Sequence, residues 1–176
     1  MELWDLYDRE GKKITGQHIR GNEMPPEGYH LVVHIWIRNH EGKYLMAQRS
    51  AGKKTYPLKW ECVGGSVLQG ETSQHAALRE VKEEVGIDLG PDCGGLVLRQ
   101  VRDMAAGQRV NDINDVYLYD FDGKADLLQA TTDEVAQIQW MTREEIISLS
   151  DSGEMVSVIK DLSYFIQDDA HLFGNR

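Results

Sequence analysis

Cysteine is nearly absent: Cys62 and Cys93 are the two in 176 residues. Two thiols cannot make the disulfide framework of a small secreted scaffold, and they form no metal-binding pattern. They point to a reducing compartment. Positive charge is also scarce. Nineteen lysines and arginines stand against 29 aspartates and glutamates, a formal net charge of -10. That balance argues against nucleic-acid polymers, which need a basic face. A small phosphorylated compound is still admissible, because bound divalent cations reverse the local charge. No apolar run reaches membrane-spanning length. The opening MELWDLYDRE lacks a basic region followed by an apolar stretch, so no signal peptide is expected. The expected location is the cytoplasm, with no membrane partner. There is also no internal repeat and no low-complexity linker.

A chain of 176 residues suits one domain with short extensions. Hydrophobic residues at 41% and charged residues at 27% are ordinary for a globular protein. The opening ELWDLYD partly alternates apolar and polar residues, and Arg9-Glu10-Gly11-Lys12 reads as a turn, so a small hairpin is predicted. Residues 21 to 28, with Pro25 and Pro26, read as a connecting loop. We therefore expect an N-terminal hairpin extension over 1–28 and the main domain over 29–176.

YHLVVHIWIR, residues 29 to 38, is β-branched and aromatic and predicts a buried strand. Asn39-His40-Glu41-Gly42 is a turn into a second strand over 43 to 49. Residues 59 to 67 are expected to be extended. The best helix spans 73 to 85, where Ala77, Val81 and Val85 form an apolar stripe. Thr72 or Ser73 can cap it and Gly86 can end it. Further strands are predicted at 94 to 102, 114 to 121 and 136 to 141. Thr142 and Glu145 form a capping box for a short helix, and a last helix is expected over 155 to 168. The fold class is α/β, with helices on both faces of a mixed sheet.

The chemistry lies in residues 64 to 87, GGSVLQGETSQHAALREVKEEVGI. Glu80, Glu83 and Glu84 are three and four residues apart, so they share one helix face. Three clustered carboxylates repel one another unless positive charge sits among them. Arg79 supplies some; a hard divalent cation with oxygen ligands would supply more. A solvated helix face is the alternative, since glutamate is a good helix former. Gly64-Gly65, at the end of a predicted strand, lets the backbone approach a ligand or offer a carbonyl. Glu71, on the loop before the helix, can reach back toward the same place.

This stretch resembles the Nudix box, G-x5-E-x7-R-E-U-x-E-E-x-G-U with U aliphatic. Gly65, Glu71, Arg79, Glu80, Val81, Glu83, Glu84, Gly86 and Ile87 satisfy every specified position. A chance match occurs at roughly one start in 10^9 at average residue usage. The resemblance implies a Nudix αβα sandwich with a loop-helix-loop catalytic motif, covering residues 29 to 150. It implies a magnesium- or manganese-dependent hydrolase of small diphosphate compounds such as nucleoside diphosphate derivatives. Carried over by position, Glu83 and Glu84 are metal ligands, and Glu80 is a further ligand or the base that activates water. Arg79 orients Glu80, Glu71 supports the metal shell, and the Gly64 carbonyl joins it. Family members often use another acid outside the box; Glu134 is the candidate and Asp133 its rival. Many are homodimers, for which the N-terminal hairpin and last helix are candidate contacts.

AQRSAGKKTYPLKW, residues 47 to 60, is similar to a segment of isopentenyl diphosphate isomerases. That similarity implies Arg49 and Lys53, with Lys54 adjacent, as diphosphate contacts. An isomerase is thus the runner-up activity. Such enzymes place a catalytic cysteine at the start of a degenerate box, whereas here the box is intact and Cys62 lies three residues before Gly65. A non-catalytic nucleotide-sensing module is the other alternative; such modules can lose box acids, and none is lost here. His30 and His34 point the same way on one strand but lack a third ligand and are expected to be structural. Trp4, Trp36, Trp60 and Trp140 are core candidates. Residues 103 to 115, with Gly107, Arg109 and Asn111, are expected to form a substrate-recognition loop.

Overall fold

A computed structural model describes residues 2–105 and 107–156. Two strands, β1 (Leu3–Tyr7) and β2 (Lys13–Ile19), form the expected N-terminal hairpin as a separate antiparallel sheet. The remaining strands form one seven-stranded mixed sheet. They are β3 (His30–Arg38), β4 (Tyr44–Arg49), β5 (Trp60–Glu61), β6 (Val63–Ser66), β7 (Gly94–Ala105), β8 (Gln108–Asp120) and β9 (Val135–Met141). The two helices are α1 (Ser73–Val85) and α2 (Arg143–Asp151).

The sheet splits in the middle, and this positions the site. β3 and β8 run parallel in unbroken register from His30↔Asp112 to Arg38↔Asp120. On its other side β3 meets β4 only at Arg38↔Tyr44. The two strands then diverge, and residues 60 to 66 fill the wedge. β5 pairs with β4, and after Cys62 the chain crosses so that β6 pairs with β3. Gly64 and Gly65 lie just past that crossing, opposite His34 and Val33 of β3.

Alternation along β3 sorts the core onto two faces. Val33, Ile35 and Ile37 join Ala76, Ala77, Val81 and Val85 of α1 in one buried cluster. Trp36 joins Tyr44, Met46 and Ile146 of α2 on the other. A helix on each face makes the αβα sandwich. Each fully buried valine of α1 contributes about 1.5–3 kcal/mol. Thr72 caps α1 by accepting from the His75 amide, and Gly86 ends it in the left-handed region at φ 68°. A Cβ at Gly86 would lie 2.4 Å from the Asp126 carbonyl oxygen, so glycine is required there on two counts.

Three expectations change. The predicted loop over 103 to 115 is mostly strand. β7 and β8 form a long hairpin joined by two residues, of which Gly107 has φ 79°. Two of its aspartates are strand residues paired across the ladder: Arg102 grips Asp112 at 2.6 and 3.0 Å, and Arg99 grips Asp115 at 2.6 and 2.7 Å. Asn111 Nδ2 donates to the Gly28 carbonyl at 3.1 Å. Met155 forms an isolated bridge with Trp60 rather than starting a helix; the rest of the helix expected over 155 to 168, from residue 157 on, lies outside the described residues. Trp140 is only partly buried, unlike Trp4, Trp36 and Trp60. No helix among the described residues is long and apolar enough to cross a membrane.

Candidate active site

The box acids converge as a consequence of α1 geometry. Residues 79, 80, 83 and 84 fall on the helix flank beside β6, and a cleft of about 360 Å³ opens there. Arg79 is its organising cation. Its Nε and Nη2 clasp Glu71 at 2.9 and 3.0 Å, while Nη1 donates to Glu80 at 2.8 Å and to Glu83 at 3.1 Å. Nη2 also reaches the Ser66 carbonyl at 3.0 Å. Burial opposes the guanidinium charge, but Glu71 and Glu80 outweigh it and raise its pKa. Glu71 is held in turn by the Leu68 amide at 3.1 Å.

Gly65 makes room for Glu80. A Cβ there would lie 2.1 Å from the Glu80 carboxylate oxygen. At Gly64 the Cβ would lie 2.6 Å from the Val33 carbonyl oxygen. Gly64 is therefore a steric requirement of close backbone approach, whereas at Gly65 the space is taken by the movable end of the Glu80 side chain.

Glu84 has the most unusual environment. It is 8% exposed, and no donor among the described residues hydrogen-bonds it. Burial pushes its pKa well up, and the neighbouring charges of Glu80, Glu61 and Glu134 push the same way, opposed by Lys53. Burial likewise raises Glu80 to about 7, against the attraction of Arg79.

Facing α1 across the cleft are the residues expected from the 47 to 60 segment and from the loop before β9. Arg49 pairs with Glu61 at 2.6 Å and donates to the Thr55 carbonyl at 3.0 Å. Lys53 is in a short ion pair with Glu134. Desolvation would raise Glu134, but Lys53, aided by Arg20 and Arg49, brings it below the usual glutamate value. Glu134 lines the cleft, and neither Asp133 nor Lys54 does.

Sequence reasoning passed over three residues of this site. Glu61 contributes a further carboxylate, partly buried, whose pKa burial raises against Arg49; a lone acid beside Trp60 and Cys62 was the available signal. Glu2 and Arg20, from the two ends of the N-terminal hairpin, also line the cleft, and no local pattern marks them.

Among the described residues, no three His, Cys, Asp or Glu side chains converge tightly enough to hold an ion as they stand. Glu80 and Glu83 are turned onto Arg79 instead. The donor set still suits a hard divalent cation. It is all oxygen, it lies on one helix flank, and it contains in Glu84 a buried acid to which no described residue donates and whose charged neighbours are mostly carboxylates. His30 and His34 are not part of it. His30 stacks on Trp4 at 4.2 Å, and His34 Nδ1 lies 3.1 Å from Asn114 Nδ2.

A smaller pocket of about 180 Å³ opens beyond Gly64 and Gly65, lined by His34, Glu61, Ser66 and Arg102 among others. On the same sheet face, the Asn114 Oδ1 and Gln100 Oε1 atoms are buried without a partner among the described residues. Cys62 is buried with Trp36 and Met46.

A split mixed sheet between two helices, with an intact acidic box at its open end, defines a Nudix domain. The NUDIX domain model matches residues 28–162, and the chain belongs to that family. It is a Nudix-type hydrolase. Over 158 residues it is 37% identical to the Nudix hydrolase lmo0368 of Listeria monocytogenes, covering 89% of each chain. Over 121 residues it is 31% identical to an isopentenyl-diphosphate Delta-isomerase of Klebsiella pneumoniae, covering 68% of this chain and 64% of that one. Among solved structures, DR0079 of Deinococcus radiodurans shares the fold with a TM-score of 0.72 at 23% identity, over 94% of this chain and 98% of the other. A bifunctional NMN adenylyltransferase/ADP ribose pyrophosphatase of Francisella tularensis, complexed with AMP and a manganese ion, aligns with a TM-score of 0.60 at 22% identity, over 84% and 42%.

Proposed function

We propose that this protein is a cytoplasmic, magnesium- or manganese-dependent hydrolase that cleaves a phosphoanhydride bond in a nucleoside diphosphate derivative or a similarly polar diphosphate. In this reading residues 29–176 are the hydrolase unit and residues 1–28 its extension. The observation that carries the reading is Glu84: a buried carboxylate without a donor, among like charges, faced by Arg49 and Lys53. Glu80, Glu83 and Glu84 would hold a divalent cation, whose charge would offset that electrostatic penalty. When bound, it would offset phosphate charge and make a nearby water more acidic.

The protein's own residues then have distinct tasks. Glu83 and Glu84 would hold the cation, joined by Glu80 and the Gly64 carbonyl. Glu80 is also placed to take a proton from water; its carboxylate lies over Gly65 and is oriented by Arg79. Glu71 keeps Arg79 in place. Arg49 and Lys53 neutralise phosphate oxygens from the facing wall, and Glu134 holds Lys53. The relative that binds AMP and manganese is consistent with this assignment of substrate class and metal.

The small pocket beyond Gly64 favours a hydrophilic group on the diphosphate. Its lining mixes Val32, Val33 and Cys62 with His34, Glu61, Ser66 and Arg102, and the four polar side chains suit a hydrophilic group better than an isoprenoid chain. The burial of Cys62 in an apolar cluster also weighs against isomerase chemistry.

The test is incubation with magnesium or manganese and a panel of nucleoside diphosphate sugars, ADP-ribose, dinucleotides, nucleoside triphosphates and isopentenyl diphosphate. Products are identified by mass spectrometry in 18O-labelled water. Label in a phosphate product of a nucleotide substrate is expected. Conversion of isopentenyl to dimethylallyl diphosphate, without hydrolysis of any compound, would replace this reading with the isomerase one.

A further inference from the structure

The N-terminal hairpin is fastened to the loop that leads into α1. The Gln69 amide donates to the Leu3 carbonyl at 2.8 Å, the Gly70 amide donates to Asp5 Oδ2 at 2.9 Å, and Gln69 Nε2 reaches Gln17 Oε1 at 3.0 Å. Those bonds set the hairpin beside Leu68 and Glu71, on the rim of the catalytic cleft. From there it presents Glu2 and Arg20 as lining residues. Arg20 Nη1 donates to both Glu2 carboxylate oxygens at 2.8 Å, and its amide donates to the Glu2 carbonyl at 3.1 Å.

Four cations face this cleft, and they are not equally available. Arg79 is committed to Glu71, Glu80 and Glu83. Arg49, 15% exposed, is held by Glu61 and Thr55, and Lys53, 20% exposed, by Glu134. Arg20 differs: its side chain is 54% exposed and Glu2, the only side chain among the described residues that it hydrogen-bonds, is 42% exposed. An ion pair so open to water is worth at most about 1 kcal/mol. A guanidinium fork on a phosphate is bidentate and considerably stronger. Glu2 is therefore a weak internal occupant that a better anion displaces.

We propose that Arg20 is a substrate-binding residue: it exchanges Glu2 for a phosphate oxygen of the bound diphosphate compound. Glu2 is its resident competitor, and the hairpin is the wall that fixes it at the cleft mouth. The assignment rests on the diphosphate reading of the cleft given above. It makes the two members of one ion pair act in opposite directions, which a merely structural pair cannot do.

The full chain is titrated calorimetrically with α,β-methylene-ADP in magnesium buffer at low ionic strength, and the thermal midpoint of each variant is recorded. Arg20→Gln is expected to weaken binding about tenfold. Arg20→Lys, which keeps the charge but loses the fork, falls between that variant and the native chain. Glu2→Gln is expected to tighten binding about threefold, because it releases Arg20. If native protein binds and Arg20→Gln binds equally well, the assignment of Arg20 is overturned and the cleft reading stands. If Glu2→Gln and Arg20→Gln both weaken binding with matching losses of thermal midpoint, the pair is structural and the assignment is again overturned. Absence of binding by the native protein overturns the cleft reading itself, and this assignment with it.

Discussion

Glu84 and His30 are two ionisable side chains taken out of water for different reasons. Glu84 is buried without a donor and among other carboxylates. Its charge therefore costs stability in the metal-free protein. Glu84→Gln is expected to lower turnover on the order of 100-fold while leaving the metal-free thermal midpoint unchanged or higher. Calorimetry beside steady-state kinetics checks both halves; a large drop in midpoint would make Glu84 a structural acid. His30 stacks on Trp4, and burial lowers its pKa to about 4, from 6.5. Between those values the unfolded chain takes up a proton that the folded chain refuses. Stability from this site is complete above the unfolded pKa and falls as pH drops toward 4, by about 3 kcal/mol at most. His30→Phe keeps the stack and should flatten that acid limb in urea melts between pH 4 and 6.5. A curve parallel to that of the native protein would show that His30 does not titrate in this way.

At the scale of elements, two short motifs have separable duties. The capping box of α2 is complete: the Glu145 amide donates to Thr142 Oγ1 at 3.3 Å, and the Thr142 amide donates to Glu145 at 2.7 Å. The helix packs on the sheet face opposite α1, away from the cleft acids. Thr142→Ala is expected to remove about 1 kcal/mol and lower the midpoint by about 2–4 °C. Turnover at 25 °C should not change; a loss of turnover would tie α2 to the site. β6 has the reverse character. At Gly65 an added Cβ meets the Glu80 carboxylate, the far end of a flexible side chain, so the fold can absorb it. Gly65→Ala should therefore keep its thermal midpoint within about 1 kcal/mol of native stability while losing most turnover, because Glu80 must swing away. Unimpaired kinetics in a folded Gly65→Ala would remove Glu80 from its assigned position.

At the scale of the whole molecule, stability is expected to depend on metal binding in the cleft. Carboxylates from α1, β5 and the loop before β9 are brought together only when the sandwich closes, so a cation held there binds the folded chain and not the unfolded one. Magnesium at about 100 times its dissociation constant should add about 2.7 kcal/mol, several degrees of midpoint for a chain of this size. EDTA should reverse the shift, and Glu84→Gln should abolish it. A midpoint indifferent to magnesium and manganese in the native protein would contradict the assignment of the acids as ligands.

Much of this protein was legible along the chain, and the reason is range. α1, its Thr72 cap and its Gly86 stop depend on neighbours a few residues away, and so do the alternation of β3, the Thr142 capping box and the spacing of Glu80, Glu83 and Glu84. The stretch from 103 to 115 was misread because its aspartates look like loop residues until Arg99 and Arg102 stand beside them on the next strand. Glu2 and Arg20 were missed because nothing local distinguishes them, and Glu61 because a lone acid between Trp60 and Cys62 is a weak signal. Sequence alone determined the helix and its acidic flank, since those follow from a periodicity of 3.6 residues and the charge of the side chains. Tertiary structure decided which far-off residues face that flank: the splitting of β3 from β4 brings in Glu61, and the hairpin's attachment to residues 69 and 70 brings in Arg20. Such contacts depend on how elements stack in space, a property that no local spacing encodes.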